Sequence, residues 1–137
     1  MTKRKKLFFA AASLMCVATV GVVVHAANKS APIGDIGDGN VSVPSRMAVY
    51  ASTIADSTGI SGDFISVNFD AYTFGSTIWG PIDDEGNEIG PVFEYDGETH
   101  VYAENADAGA IQKVDSYHRI KRGNDDISIT IYGTTPG

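Results

Sequence analysis

Apolar and polar residues alternate along residues 64–74. Ile65, Val67, Phe69 and Ala71 share one parity, and Ser66, Asn68 and Asp70 share the other. A period of two belongs to a β-strand with one buried and one wet face, so this segment is expected to be a central strand. Residues 127–132, Ile-Ser-Ile-Thr-Ile-Tyr, alternate as cleanly. Residues 47–55 carry Val49, Tyr50, Thr53 and Ile54, the β-branched and aromatic types that suit a strand. Turn residues Asp56-Ser57-Thr58-Gly59 and Ser61-Gly62-Asp63 separate this segment from the Phe64 strand. Neighbours in sequence joined by such turns are expected to pair antiparallel.

After Phe74, Gly75-Ser76 permits a bend, and residues 77–79 resume an extended apolar run. Gly80-Pro81-Ile82 is echoed by Gly90-Pro91-Val92, but two units are too few for a solenoid. The prolines suit edge strands or strand starts, where no ladder donor is missed. Asp96-Gly97 lies between two β-prone runs, residues 92–95 and 99–102, and predicts a tight hairpin. Residues 110–122 support two patterns. Ala110, Val114 and Tyr117 fit a helical stripe closed by Lys121, Arg122 and Gly123. A strand joined through a glycine-containing turn at residues 122–126 to the alternation of residues 127–132 accounts for both halves, and strand is the expectation.

Six or seven short strands with Gly, Asp and Asn turns at near-regular spacing argue an antiparallel sandwich or small barrel. The expected fold is all-β, a small antiparallel β-sandwich that is Ig-like in shape only, because the paired cysteines of immunoglobulin domains are missing.

The N-terminus changes the destination of this domain. Residues 1–6 carry Lys3, Arg4, Lys5 and Lys6, and the uncharged apolar run of residues 7–24 follows. That is the layout of a secretory signal peptide, with Val24-His25-Ala26 placing small residues for cleavage after Ala26, or after Ala27. An uncleaved membrane anchor is the alternative, since 18 residues is near the lower limit for spanning a bilayer. Residues 27–45 are rich in Gly, Pro, Ser, Asn and Asp and read as a flexible spacer. The expected organisation is therefore a signal peptide over residues 1–26, a spacer over 27–45, a β-sandwich over 46–133 and a disordered tail over 134–137.

All 17 acidic residues but only six of the ten basic ones follow Ala26, so the exported part carries a net charge of −11. Such a surface repels nucleic acid and anionic membranes. The single cysteine, Cys16, lies in the apolar leader, so the exported domain is stabilised by packing without disulfides.

Asp83, Asp84, Glu85, Asn87 and Glu88 form the densest oxygen cluster and are candidate calcium ligands, although a solvated turn explains the same residues. Asp35, Asp38 and Asn40 lack the spacing and closing glutamate of a calcium loop. His118, Arg119, Lys121 and Arg122 are the one basic concentration after Ala26, in an acidic domain. They are the candidate partner-binding residues, for an anionic wall polymer or an acidic protein; their alternative role is to blunt an edge strand. His100 and His118 are the histidines beyond the leader, and no glycine-flanked serine elbow, no later cysteine and no HxH or HExxH spacing accompanies them. No enzyme and no cofactor is expected. Tyr50, Tyr72, Trp79, Tyr95 and Tyr102 would mark a binding face if several shared one exposed surface; Trp79 alone is expected in core or edge packing.

The alternating Ile65-Ser66-Val67-Asn68-Phe69 strand, the Gly97 hairpin, Ala108-Gly109 leading through Val114 and Tyr117-His118 to Lys121-Arg122-Gly123, and the last alternating strand resemble small exported β-proteins of Gram-positive gut bacteria. The resemblance spans roughly residues 46–132 and implies an all-β extracellular domain. That group has no assigned activity, so no functional residue is carried over. The expected function is a secreted binding or adhesion module at the bacterial surface or in the medium. The alternative is an exported effector such as an enzyme inhibitor or antagonistic peptide.

Overall fold

The computed structural model describes residues 28–56 and 63–137. The signal-peptide reading and most of the turn between residues 55 and 64 lie outside them. Among the described residues there are nine strands and no helix. They are β1 Asn28–Ile33, β2 Gly37–Ser45, β3 Ala48–Ala55, β4 Phe64–Thr73, β5 Ile78–Trp79, β6 Val92–Tyr95, β7 His100–Asn105, β8 Ile111–Arg122 and β9 Asp125–Thr134.

These strands form two antiparallel sheets that face each other as a β-sandwich, the expected fold. Sheet A has the order β1-β2-β3-β7, and sheet B runs β5-β4-β8-β9 with β6 also on β4. The parity read from the sequence holds: Ile65, Val67, Phe69 and Ala71 of β4 all face the core and are buried. Opposite them stand Val41, Val49, Ala51, Val101 and Ala103 of sheet A. Burying Phe69 and its neighbours contributes roughly 1.5–3 kcal/mol for each large apolar side chain.

Residues 28–45 are not a spacer. They are strands β1 and β2, and Ile33, Val41 and Val43 lie in the core. The glycines that suggested flexibility have a packing reason. A Cβ on Gly37 would meet the Ile54 carbonyl oxygen and Ile120 Cδ1, and one on Gly39 would lie 2.6 Å from His118 Cγ. Side chains from sheet B fill that space.

Three further expectations are corrected. β3 and β4 do not pair; β3 lies between β2 and β7, and β4 pairs with β5, β6 and β8 across the sandwich. Asp96-Gly97 is a turn with φ of 55° and 95°, but it joins no hairpin. β6 pairs with β4 and β7 with β3, so the turn carries the chain from one sheet to the other. The tail is also fixed in place: Thr134 is a buried residue of β9, and the Gly137 N–H donates to the Val43 carbonyl at 3.0 Å.

The β8–β9 hairpin is as expected. Arg122 pairs with Asp125 around Gly123-Asn124, with Gly123 at φ +59°. Positive φ at only the first of two turn residues is what a Gly-X hairpin loop supplies. Residues 80–91 fold back over the free edge of β7. There the Ile82 N–H donates to the Glu104 carbonyl (3.0 Å) and Asn105 Nδ2 to the Gly80 carbonyl (2.8 Å).

Candidate ligand-binding surface

The outer face of sheet B presents an aromatic group that its strand pairing assembles. Phe64 lies opposite Tyr95, and Ser66 opposite Phe93, so β4 and β6 place three rings on one patch. Phe93 and Tyr95 have centroids 6.0 Å apart and planes within 16°. Phe64 meets Phe93 edge-on at 5.5 Å and Tyr95 at 6.1 Å. Phe93 and Tyr95 are 40% and 55% exposed, an apolar area that folding alone does not explain.

Arg119, opposite Ser66 on β8, lays its guanidinium over Phe64 at 4.8 Å from the ring centroid. Asp126 of β9 fixes it there by two hydrogen bonds, from Nε at 2.8 Å and from Nη2 at 2.7 Å. The hydrogen bond raises the pKa of Arg119 and lowers that of Asp126, each holding the other's charge. Further along the same face the Tyr117 hydroxyl donates to Asp70 Oδ2 at 2.8 Å. Burial first, and this bond second, push its pKa upward.

A shallow, solvent-open cleft adjoins the rings, with Phe64 and Tyr95 in its lining. Lys121 and Arg122 line it together with four carboxylates, those of Asp63, Glu94, Asp96 and Glu98. The cleft is therefore not a positive field.

The four predicted partner-binding residues are divided by the alternation of β8. Arg119 and Lys121 point outward and Arg122 reaches the cleft, but His118 faces the core at 1% exposure. His118 Nδ1 lies 3.0 Å from Thr53 Oγ1, and Nε2 lies 2.7 Å from Ser116 Oγ. The Thr53 hydroxyl spends its one proton on the Ser66 carbonyl at 2.7 Å. Nδ1 is therefore the donor to Thr53, and Nε2 accepts from Ser116. Burial lowers the pKa of this neutral ring to about 4, against a smaller raising effect from the Ser52 backbone.

The candidate calcium ligands do not converge on one point. Asp83 Oδ1 accepts the N–H groups of Glu85 and Asn87, both at 2.9 Å, and Glu88 Oε1 accepts the Gly80 N–H at 3.1 Å. Among the described residues no group of three or more His, Cys, Asp or Glu side chains is arranged to hold a metal ion. Nor do the predicted aromatics form one exposed surface: the strand registers put Tyr72 and Tyr95 on the outer face of sheet B and Tyr50 and Tyr102 on that of sheet A. Tyr102 is buried and Trp79 packs against the core. Tyr50 lies on the outside of sheet A, opposite Glu104. Tyr95 alone of the five joins the patch. Phe64 and Phe93 were missed, although Phe64 has the same parity as Ser66, Asn68 and Asp70 and so belongs to the wet face.

A second exposed ring stands at the β4–β5 turn. Phe74 is 60% exposed and has the Arg46 guanidinium 5.5 Å from its centroid. Backbone hydrogen bonds from the Phe74 N–H to the Ala110 carbonyl and from the Ile111 N–H to the Arg46 carbonyl fasten the three loops of this end.

No protein-family model, curated protein or solved structure matches the chain significantly.

Proposed function

We propose that the chain is an exported, non-enzymatic binding module that holds a neutral glycan of the bacterial surface against the outer face of sheet B. The observation that carries this reading is the exposed group of Phe64, Phe93 and Tyr95, two of whose rings lie within 16° of parallel. A sugar ring presents a flat face of weakly positive C–H groups, and an aromatic face is negative. The hydroxyls at the sugar's rim then need donors and acceptors at the edge of the rings, where Arg119, Asp126 and Lys121 stand. A neutral ligand suits the balance of two cations and four carboxylates in the adjoining cleft better than an anionic polymer. A binding role also agrees with His118, whose two ring nitrogens are engaged inside the core. Export rests on the charged and apolar segments of residues 1–26.

Affinity electrophoresis and calorimetry with purified neutral wall polysaccharides test this. The protein should be retarded, and Phe93→Ser combined with Tyr95→Ser should remove the retardation while leaving the melting temperature within a few degrees. Lack of retention by every neutral polysaccharide, or retention unchanged in the double variant, would refute it.

One observation favours the effector reading. Phe74 projects from a tight turn in which Thr73 and Thr77 bond each other through Oγ1 and backbone, the form of an ordered loop that enters an enzyme cleft. Inhibition of a wall hydrolase that is lost on Phe74→Ser, with Phe93 and Tyr95 intact, would decide for that reading.

A further inference from the structure

Going beyond glycan binding, we infer that the free edge of β9 pairs with β9 of a second copy of this chain, joining the two B sheets across a two-fold axis. Sheet edges are templates for strand addition unless they are short, interrupted or covered. The β7 edge is covered by residues 80–91. The outer edge of β4 is served by β5 and β6, only two and four residues long, with Pro81 and Pro91 between them. β1 is a six-residue strand containing Pro32. β9 is ten residues long, has no proline, and among the described residues pairs with β8 alone; Lys29 Nζ of β1 bonds it at the Tyr132 carbonyl, past the Ile127–Ile131 run.

Its sequence is self-complementary. Ile127-Ser128-Ile129-Thr130-Ile131 reads nearly the same in both directions, so an antiparallel pairing centred on Ile129 sets Ile127 opposite Ile131 and Ser128 opposite Thr130. The isoleucines point toward the core, yet Ile127 and Ile129 are only partly buried at this edge. A second strand would finish covering them. Charge selects the same arrangement. Residues 127–132 carry no charge, in a chain whose net charge otherwise opposes self-association. The antiparallel register keeps the Asp125-Asp126 pairs of the two copies at opposite ends of the seam, whereas an in-register parallel pairing would stack them. It also sets Tyr132 opposite Asp126 of the second copy, beside the guanidinium of Arg119. Among the described residues Tyr132 is the most exposed of the large hydrophobic side chains, at 70%. Such an interface is isologous and closed, so it gives a dimer rather than a fibre.

Sedimentation equilibrium and light scattering of the purified exported protein test the pairing. The mass should double as concentration rises through tens of micromolar. Ser128→Lys with Thr130→Lys sets lysine against lysine across the seam and should leave a folded monomer. Ser128→Lys with Thr130→Glu sets lysine against glutamate and should restore the dimer. An independent readout uses the absence of cysteine after Ala26. An oxidised mixture of the Ser128→Cys and Thr130→Cys proteins should cross-link, and each alone should do so far less, because directly opposed residues alone meet disulfide geometry. A wild-type monomer at every concentration, an oligomer larger than two, a dimer indifferent to the double lysine, or equal cross-linking in the separate and mixed samples would overturn the inference.

Discussion

The imidazole of His118 lies where a side chain on Gly39 would have to go, its Cγ 2.6 Å from the position of a Cβ. The two residues come from opposite sheets, so a glycine in β2 and a histidine in β8 set the local separation of the sandwich. Gly39→Ala is expected to destabilise the domain by about 1–3 kcal/mol through overpacking. Denaturant unfolding of Gly39→Ala, His118→Ala and the double variant should show strong non-additivity, since removing the ring removes the clash.

The same histidine makes stability depend on pH. Unfolded, it takes up a proton near pH 6.5; folded, it does so only at about 4. Between those values the unfolded chain binds more protons, so its contribution is complete above about pH 6.5 and is lost as pH falls toward 4. The loss is on the order of 3 kcal/mol. Urea unfolding from pH 7.5 to 4 should reveal it, and His118→Asn should flatten that part of the profile.

A chain beginning at Asn28 is expected to fold, whereas one beginning at Arg46 is expected to be unfolded, because it lacks Ile33, Val41 and Val43 and exposes the edge of β3. Circular dichroism and amide dispersion in NMR spectra distinguish these outcomes.

Calcium is expected to leave the melting temperature unchanged at millimolar concentration. The Asp83 and Glu88 oxygens that would bind it already accept backbone N–H groups. Asp83→Ala should cost about 1 kcal/mol through those lost hydrogen bonds, equally in calcium and in chelator.

The strands with clean alternation were legible. Parity alone placed Ile65, Val67 and Phe69 inside, and Ile127-Ser128-Ile129 beside a glycine turn predicted the last hairpin correctly. What failed was information held by a distant partner. Gly37 and Gly39 look like flexibility until Ile120 and His118 are seen to occupy the space above them. Asp96-Gly97 has the residues of a hairpin, yet Val92 and Val101 find better partners in different sheets. The basic run was legible as charge but not as geometry, because alternation along β8 turns His118 away from Arg119 and Lys121. The aromatic patch was partly visible, since Phe64 breaks an otherwise polar row, but Phe93 and Tyr95 join it only through the β4–β6 register.

The first and last strands close the same flank of the sandwich: Lys29 Nζ of β1 donates to the Tyr132 carbonyl of β9 at 2.9 Å, across 103 residues of chain. A polypeptide that emerges N-terminus first, from a ribosome or through a translocation channel, must hold β1 in waiting until β9 arrives. This flank of the sandwich therefore closes only once both the first and the last strand are in place.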